Sequence, residues 1–177
     1  MPAHAPRQAL LARRPGRQVV TALGATGHQT IPPGAREFVV DAVRDILRRA
    51  ESPLLAVTSL AAGADQLVAT ELLRAGGHLH VIVPSGHYER TFTTQVDLAS
   101  FRSLLEAADA VTRLDYAEPS EEAFLAAGKR VVDDCEMLIA IWDGKPARGL
   151  GGTADVVRYA QDTGKAVSIV WPDGAGR

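Results

Sequence analysis

MLIAIWDGKPARGLGGTADVV, residues 137–157, is the stretch that decides how the rest of the chain is read. Met137 to Trp142 is an unbroken apolar run of strand length, the loop after it is dense in glycine, and a helix opens at Thr153. A run that ends in Gly149, Gly151, Gly152 and Thr153 brings bare backbone N–H groups to a sheet edge, where a helix N-terminus adds partial positive charge. That combination makes an anion site. The alternative is a strand-to-helix turn that needs its glycines only for backbone geometry.

Working outward, further strands alternate with helices. Gln18 to Leu23 predicts a first strand feeding a glycine turn, Gly24-Ala25-Thr26-Gly27-His28. Phe38, Val39, Ala42, Val43, Ile46 and Leu47 recur at helical spacing within 35–50, with charged residues mostly on the other face. Leu54 to Ser59 predicts a second strand, which turns through Ala61-Ala62-Gly63-Ala64 into a helix ending at Gly76-Gly77. Leu79 to Val83 predicts a third, stopped by Pro84. A helical stretch around 101–108, a short strand at 110–114 and a helix from Ser120 to about Asp134 precede the opening stretch. Ala166 to Trp171 predicts a last buried strand, stopped by Pro172.

This alternation implies βαβ crossovers and a mostly parallel sheet, hence an α/β, Rossmann-like three-layer α/β/α fold. Every strand-to-helix turn of such a sheet lies at its carboxyl edge. Gly24 to His28, Ser59 to Gly63 and Asp143 to Thr153 are therefore expected to converge on one crevice, which favours a nucleotide or phosphate site.

The totals set bounds. A length of 177 residues fits one domain at 18–172, flanked by a basic tail at 1–17 with Arg7, Arg13, Arg14 and Arg17 and by a frayed end at 173–177. Hydrophobic content of 46%, charged content of 23% and a net charge of −2 describe a soluble protein without a global field for nucleic acid. The single cysteine, Cys135, excludes an intrachain disulfide. No apolar run has the length of a membrane span and no signal h-region stands at the start, so the expected compartment is the cytoplasm. His78, His80 and His87 lack partners at ligand spacing, so neither metal nor other cofactor is expected.

Several side chains have two readings. Asp65 and Asp155 fall in first helical turns, where a carboxylate complements the dipole; either could instead meet ribose hydroxyls or move a proton. Asp143 is either the residue of an Asp-Gly turn or a ribose ligand. His28 is a surface or capping residue, or a phosphate donor. Thr26 and Ser59 satisfy their own turns or offer hydroxyls to phosphate. Arg148 and Arg90 are solvated or neutralise phosphate, and Tyr88 or Trp142 could stack on a base.

GATGHQ (24–29), SLAAGADQLVATELLRAGGHLHVIVP (59–84) and DDCEMLIAIWDGKPARGLGGTADVVRYAQDTGKAVSIVW (133–171) together resemble the SLOG superfamily. This Rossmann-like group includes the Lonely Guy phosphoribohydrolases, DprA and the sensor domains of TRPM channels. The last segment is also similar to nucleoside 2-deoxyribosyltransferases. The resemblance implies a nucleotide or nucleotide-derived ligand across the carboxyl edge, and homodimerisation is expected by analogy. It also implies a catalytic glutamate three residues after the threonine of the Gly-Thr motif, where this chain has Val156. The expected function is thus to bind a nucleotide or an NAD-derived molecule such as ADP-ribose, as a ligand sensor. The alternative is a nucleoside phosphate N-glycosidase or a nucleoside deoxyribosyltransferase that uses Asp155.

Overall fold

A computed structural model describes residues 20–146 and 150–175. The basic tail with its arginines, Arg148, Gly149 and residues 176–177 lie outside the described residues. Six strands and five helices follow one another: β1 (Thr21–Gly27), α1 (Pro33–Arg49), β2 (Leu54–Thr58), α2 (Ala64–Arg74), β3 (His78–Val83), α3 (Gln95–Ala107), β4 (Ala110–Arg113), α4 (Glu121–Asp133), β5 (Met137–Ile141), α5 (Thr153–Asp162) and β6 (Ala166–Val170). A 3-10 turn, Tyr88–Thr91, precedes α3.

The strands form one sheet in the order β4-β3-β2-β1-β5-β6, and every neighbouring pair is parallel. Two cores flank it. On one face Val39, Val43, Val68, Leu72 and Phe101 of α1, α2 and α3 pack on Leu23, Val81, Ile139 and Ile141. On the other face Val131, Val132, Val156 and Val157 of α4 and α5 pack on Val57, Ile82, Leu138 and Ala140. The run Met137–Ile141 is apolar throughout because successive residues of β5 enter opposite cores, each buried Leu or Ile contributing about 1.5–3 kcal/mol. The architecture is the expected three-layer α/β/α.

Local chemistry sets the helix starts. Pro33 opens α1, where its missing N–H costs nothing. The side chains of Thr94 and Ser120 accept from the N–H groups of Asp97 and Ala123 and so cap α3 and α4.

Two expectations need correction. The first strand does not stop at Leu23 but runs to Gly27, so Gly24 and Gly27 are strand residues, paired with Val57 or Ile141 across the sheet. A Cβ on Gly24 would stand 2.8 Å from Cys135 Sγ, and one on Gly27 would stand 2.4 Å from the Ile141 carbonyl oxygen and 2.5 Å from Ala64 Cβ. These glycines serve close packing rather than turning. The last strand, expected to be buried, is an edge: Ile169 of β6 is 52% exposed, because only one side of the strand is paired.

Candidate functional site

From β1 the chain steps outward through β2 and β3 to β4, then α4 carries it back so that β5 lies on the other side of β1. Strand order reverses between β1 and β5, the place where the loops diverge and leave a crevice beyond the carboxyl ends. A cavity of about 710 Å³ lies there, lined by residues of all three glycine-bearing segments together with the 3-10 turn, α4 and α5.

The β1–α1 and β2–α2 segments are locked together. The His28 N–H donates to the Ile141 carbonyl at 2.9 Å, and the Ala64 N–H donates to the His28 carbonyl at 3.0 Å. Gly63 holds a φ of 78°, and a Cβ there would meet the Gln29 and His28 carbonyls at 2.3 and 2.5 Å. Only glycine lets the start of α2 come this close to β1. Leu60 has a φ of 56°, costly for a branched side chain, and is held by full burial and by the Gln66 amide donating to its carbonyl at 3.2 Å. This strained residue follows Ser59, whose position on the cavity wall it fixes.

Asp143 lies at the end of β5 with its side chain 2% exposed. His28 Nε2 stands 3.0 Å from its Oδ1 and 3.1 Å from its backbone nitrogen, so the tautomer decides which contact donates. The Lys145 N–H donates to Oδ1 at 3.1 Å, closing an Asx turn, and the Lys145 ammonium is 3.7 Å from Oδ2. The His28 ring also stacks edge-on against Trp171 at 4.9 Å. The pair thus joins β1 to β5 across the switch point, and only His28 reaches the cavity.

At the start of α5, Gly151 (φ 78°) rests on α4, where a Cβ would stand 2.7 Å from the Leu125 nitrogen. Asp155 Oδ2 accepts from the Gly151 N–H at 3.0 Å. Asp155 is therefore a cap of its own loop and does not line the cavity. Val156 does line it, while its side chain is buried against Gly128 of α4, whose missing Cβ leaves the room. The position at which the resemblance implies a glutamate is thus a packing position between α4 and α5.

Asp65 sits on the wall at the start of α2, 6% exposed. Burial pushes its carboxyl up to about 6, although the Thr58 hydroxyl and the N–H groups of Ala61 and Ser59 favour the charged form. Across from it Tyr88 of the 3-10 turn is 5% exposed, and burial together with the nearby Asp65 charge raises its phenol. Tyr88 packs edge-on against Phe92, Phe101 and Phe124 with ring centroids 5.5, 5.6 and 6.3 Å away. Tyr88, Phe92 and Phe124 line the cavity.

Of the residues expected from the sequence, Thr26, Gly27, His28, Ser59, Asp65, Gly151, Gly152 and Thr153 come together on the wall. Gly24, Gly63, Asp143 and Asp155 stand behind it and support it. Gly149 lies outside the described residues. Sequence reasoning missed Gln29, Thr30, Thr91, Phe92, Thr93 and Phe124. The polar run Thr91–Thr94 follows a strand end and so was findable as a carboxyl-edge loop, whereas Phe124 reaches the site only through the return path of α4. Among the described lining residues there is no lysine or arginine. Arg90 pairs with Glu118 at 3.1 Å on the surface. The histidines diverge as well: His78 meets Asp109, His80 meets Thr112 and His87 meets Glu118. Burial lowers the His80 imidazole.

A six-stranded parallel sheet in this order, covered by helices on both faces and with the crevice at its switch point, is a Rossmann-like three-layer α/β/α fold. The chain is similar to DNA processing protein A from Streptococcus pneumoniae, with a TM-score of 0.64 at 18% identity, covering 85% of this chain and 50% of that one. It is also similar to DNA processing protein A from Helicobacter pylori, whose structure concerns its single-stranded DNA binding mode, with a TM-score of 0.60 at 16% identity over 84% of this chain and 64% of that one. A third likeness is to TM1055, with a TM-score of 0.52 at 15% identity over 83% of this chain and 72% of that one. The chain thus spans half of the first relative and less than two thirds of the second. At these identities the likeness is one of fold. No protein-family model matches the sequence, and no curated protein matches it by sequence. Among the described residues no helix is long and apolar enough to cross a membrane.

Proposed function

We propose that the crevice binds a nucleotide or an NAD-derived ligand such as ADP-ribose, and that the chain acts as a ligand sensor rather than as an N-glycosidic enzyme. The observation that carries this reading is the convergence of the three glycine-bearing segments on one cavity at the β1/β5 switch point. The start of α5, at Thr153, would meet an anion with backbone N–H groups and the helix dipole behind them. Hydroxyls of Thr26, Ser59 and Thr153 line the same cavity. Without lysine or arginine among the described lining residues, backbone and hydroxyl donors would hold the phosphate, which favours a ligand of low charge. The reading omits catalysis because Asp155 is used as a cap and Val156 as packing. Calorimetry against nucleoside mono-, di- and triphosphates and ADP-ribose tests it: saturable heat with at least one is expected, and none at millimolar concentration would remove it.

Single-stranded DNA is a second reading, supported by the fold shared with the Helicobacter pylori protein. It requires affinity that falls steeply with salt. A net charge of −2 favours the small ligand.

A further inference from the structure

Tyr88 is buried, lines the cavity, and its hydroxyl makes no hydrogen bond with any described residue. A buried phenol normally finds a partner. Here the free donor opens onto the crevice beside Asp65, which is close enough to act on it electrostatically. Asp65 accepts from the Ala61 N–H at 3.4 Å, and the Thr58 hydroxyl at the end of β2 and the Ser59 N–H also favour its charged form, whereas a carboxylate has room for about four donors. The one cavity therefore offers a donor and an acceptor, with the rings of Phe92 and Phe124 packed around the tyrosine.

We infer that the Asp65–Tyr88 end of the crevice holds a nucleobase by its hydrogen-bonding edge, with the phosphate of the same ligand at the α5 end. This rests on the nucleotide reading above. The edges of nucleobases place a donor next to an acceptor, and their faces suit an aromatic wall. Vicinal sugar hydroxyls would satisfy the polar pair but would leave the rings without a planar partner. Phosphate is disfavoured at this end by the Asp65 charge and favoured at the other by the first turn of α5. The β2 and β5 ends that carry the two sites are two strand spacings apart, about 10 Å, which a base–ribose–phosphate unit bridges.

The test is calorimetry on the full chain with AMP, GMP, CMP, UMP and ribose 5-phosphate, comparing the wild type with Tyr88→Phe and Asp65→Asn. At least one monophosphate is expected to bind about tenfold or more tighter than ribose 5-phosphate, and each variant to remove most of that preference while ribose 5-phosphate is unaffected, the loss expected for one hydrogen bond. Because no hydrogen bond of the Tyr88 hydroxyl is found among the described residues, Tyr88→Phe is expected to unfold at the wild-type midpoint, so its loss reports on ligand alone. Ribose 5-phosphate binding as tightly as every monophosphate, or either variant keeping the preference, overturns the base assignment and leaves the nucleotide reading standing. Absence of binding by all five at millimolar concentration overturns both.

Discussion

Asp143 and Asp65 are both buried carboxylates at the carboxyl edge of one sheet, and their surroundings differ. Asp143 is matched inside the protein by His28 and by the amide and ammonium of Lys145. Asp65 has the Thr58 hydroxyl and the N–H groups of Ala61 and Ser59 beside it and, among the described residues, no cation paired with it, and it borders the cavity. A carboxylate with protein partners holds two strands in register; on the proposed function, a carboxylate left facing a cavity is a group for what would enter it. Asp155 completes the series: it has a partner, the Gly151 N–H, and a local duty.

The largest expected effect breaks the matched member. Asp143→Ala removes the acceptor for His28 and for the Lys145 turn, and a loss of about 4 kcal/mol is expected in urea unfolding, from breaking a buried pair. A loss below 1 kcal/mol would show that the pair does not hold β1 to β5.

Next is the pH dependence of Asp65. Its carboxyl goes from the ordinary 3.8 to about 6 in the fold, so below the lower value both states are protonated and folding is not penalised. As pH rises toward about 6 the unfolded chain loses its proton more readily, and stability falls by about 3 kcal/mol, remaining at that lower level above pH 6. Asp65→Asn lacks this fall. The stability difference between variant and wild type should therefore shift by about that amount in favour of the variant between pH 4 and pH 7. A difference that stays constant with pH would place the Asp65 carboxyl in ordinary solvent.

Gly27→Ala drives a methyl into the Ile141 carbonyl and Ala64. About 2 kcal/mol of destabilisation is expected from overpacking, read as a lowered urea midpoint. Asp155→Ala should cost about 1 kcal/mol, as the loss of one carboxylate hydrogen bond in the first turn of a helix does. If Asp155→Ala instead abolishes nucleotide binding with unchanged stability, the carboxylate serves the ligand and the contrast with Asp65 fails.

Much of this was legible from residues 137–157. An apolar run two-sided in its burial, followed by glycines and a threonine, defines both β5 and the start of α5 by local chemistry. The end of β1 was not legible, since Gly24 and Gly27 look like turn residues until Cys135 and Ile141 are known to press on them. Those neighbours lie more than a hundred positions away along the chain. Asp143 and Asp155 were visible as candidates, but only the fold shows that one faces His28 and the other Gly151. The aromatic wall was half visible: Tyr88 could be suspected of meeting a base, while Phe124 lies in a helix whose own pattern explains only its packing.

The return of α4 across the sheet also has a folding consequence. Leu23 pairs with Met137 in the β1–β5 ladder, so the innermost strand acquires its second neighbour only after most of the chain has been laid down. A fragment ending after β4 would leave the glycine-bearing β1 as a bare edge, open to pairing with other chains. It would also lack the α4 and α5 walls of the crevice. Contacts of such long range form slowly and all together. A bound ligand would accordingly stabilise the assembled sheet as a whole and raise its unfolding temperature in proportion to the logarithm of ligand concentration, which makes thermal unfolding a direct reporter of occupancy.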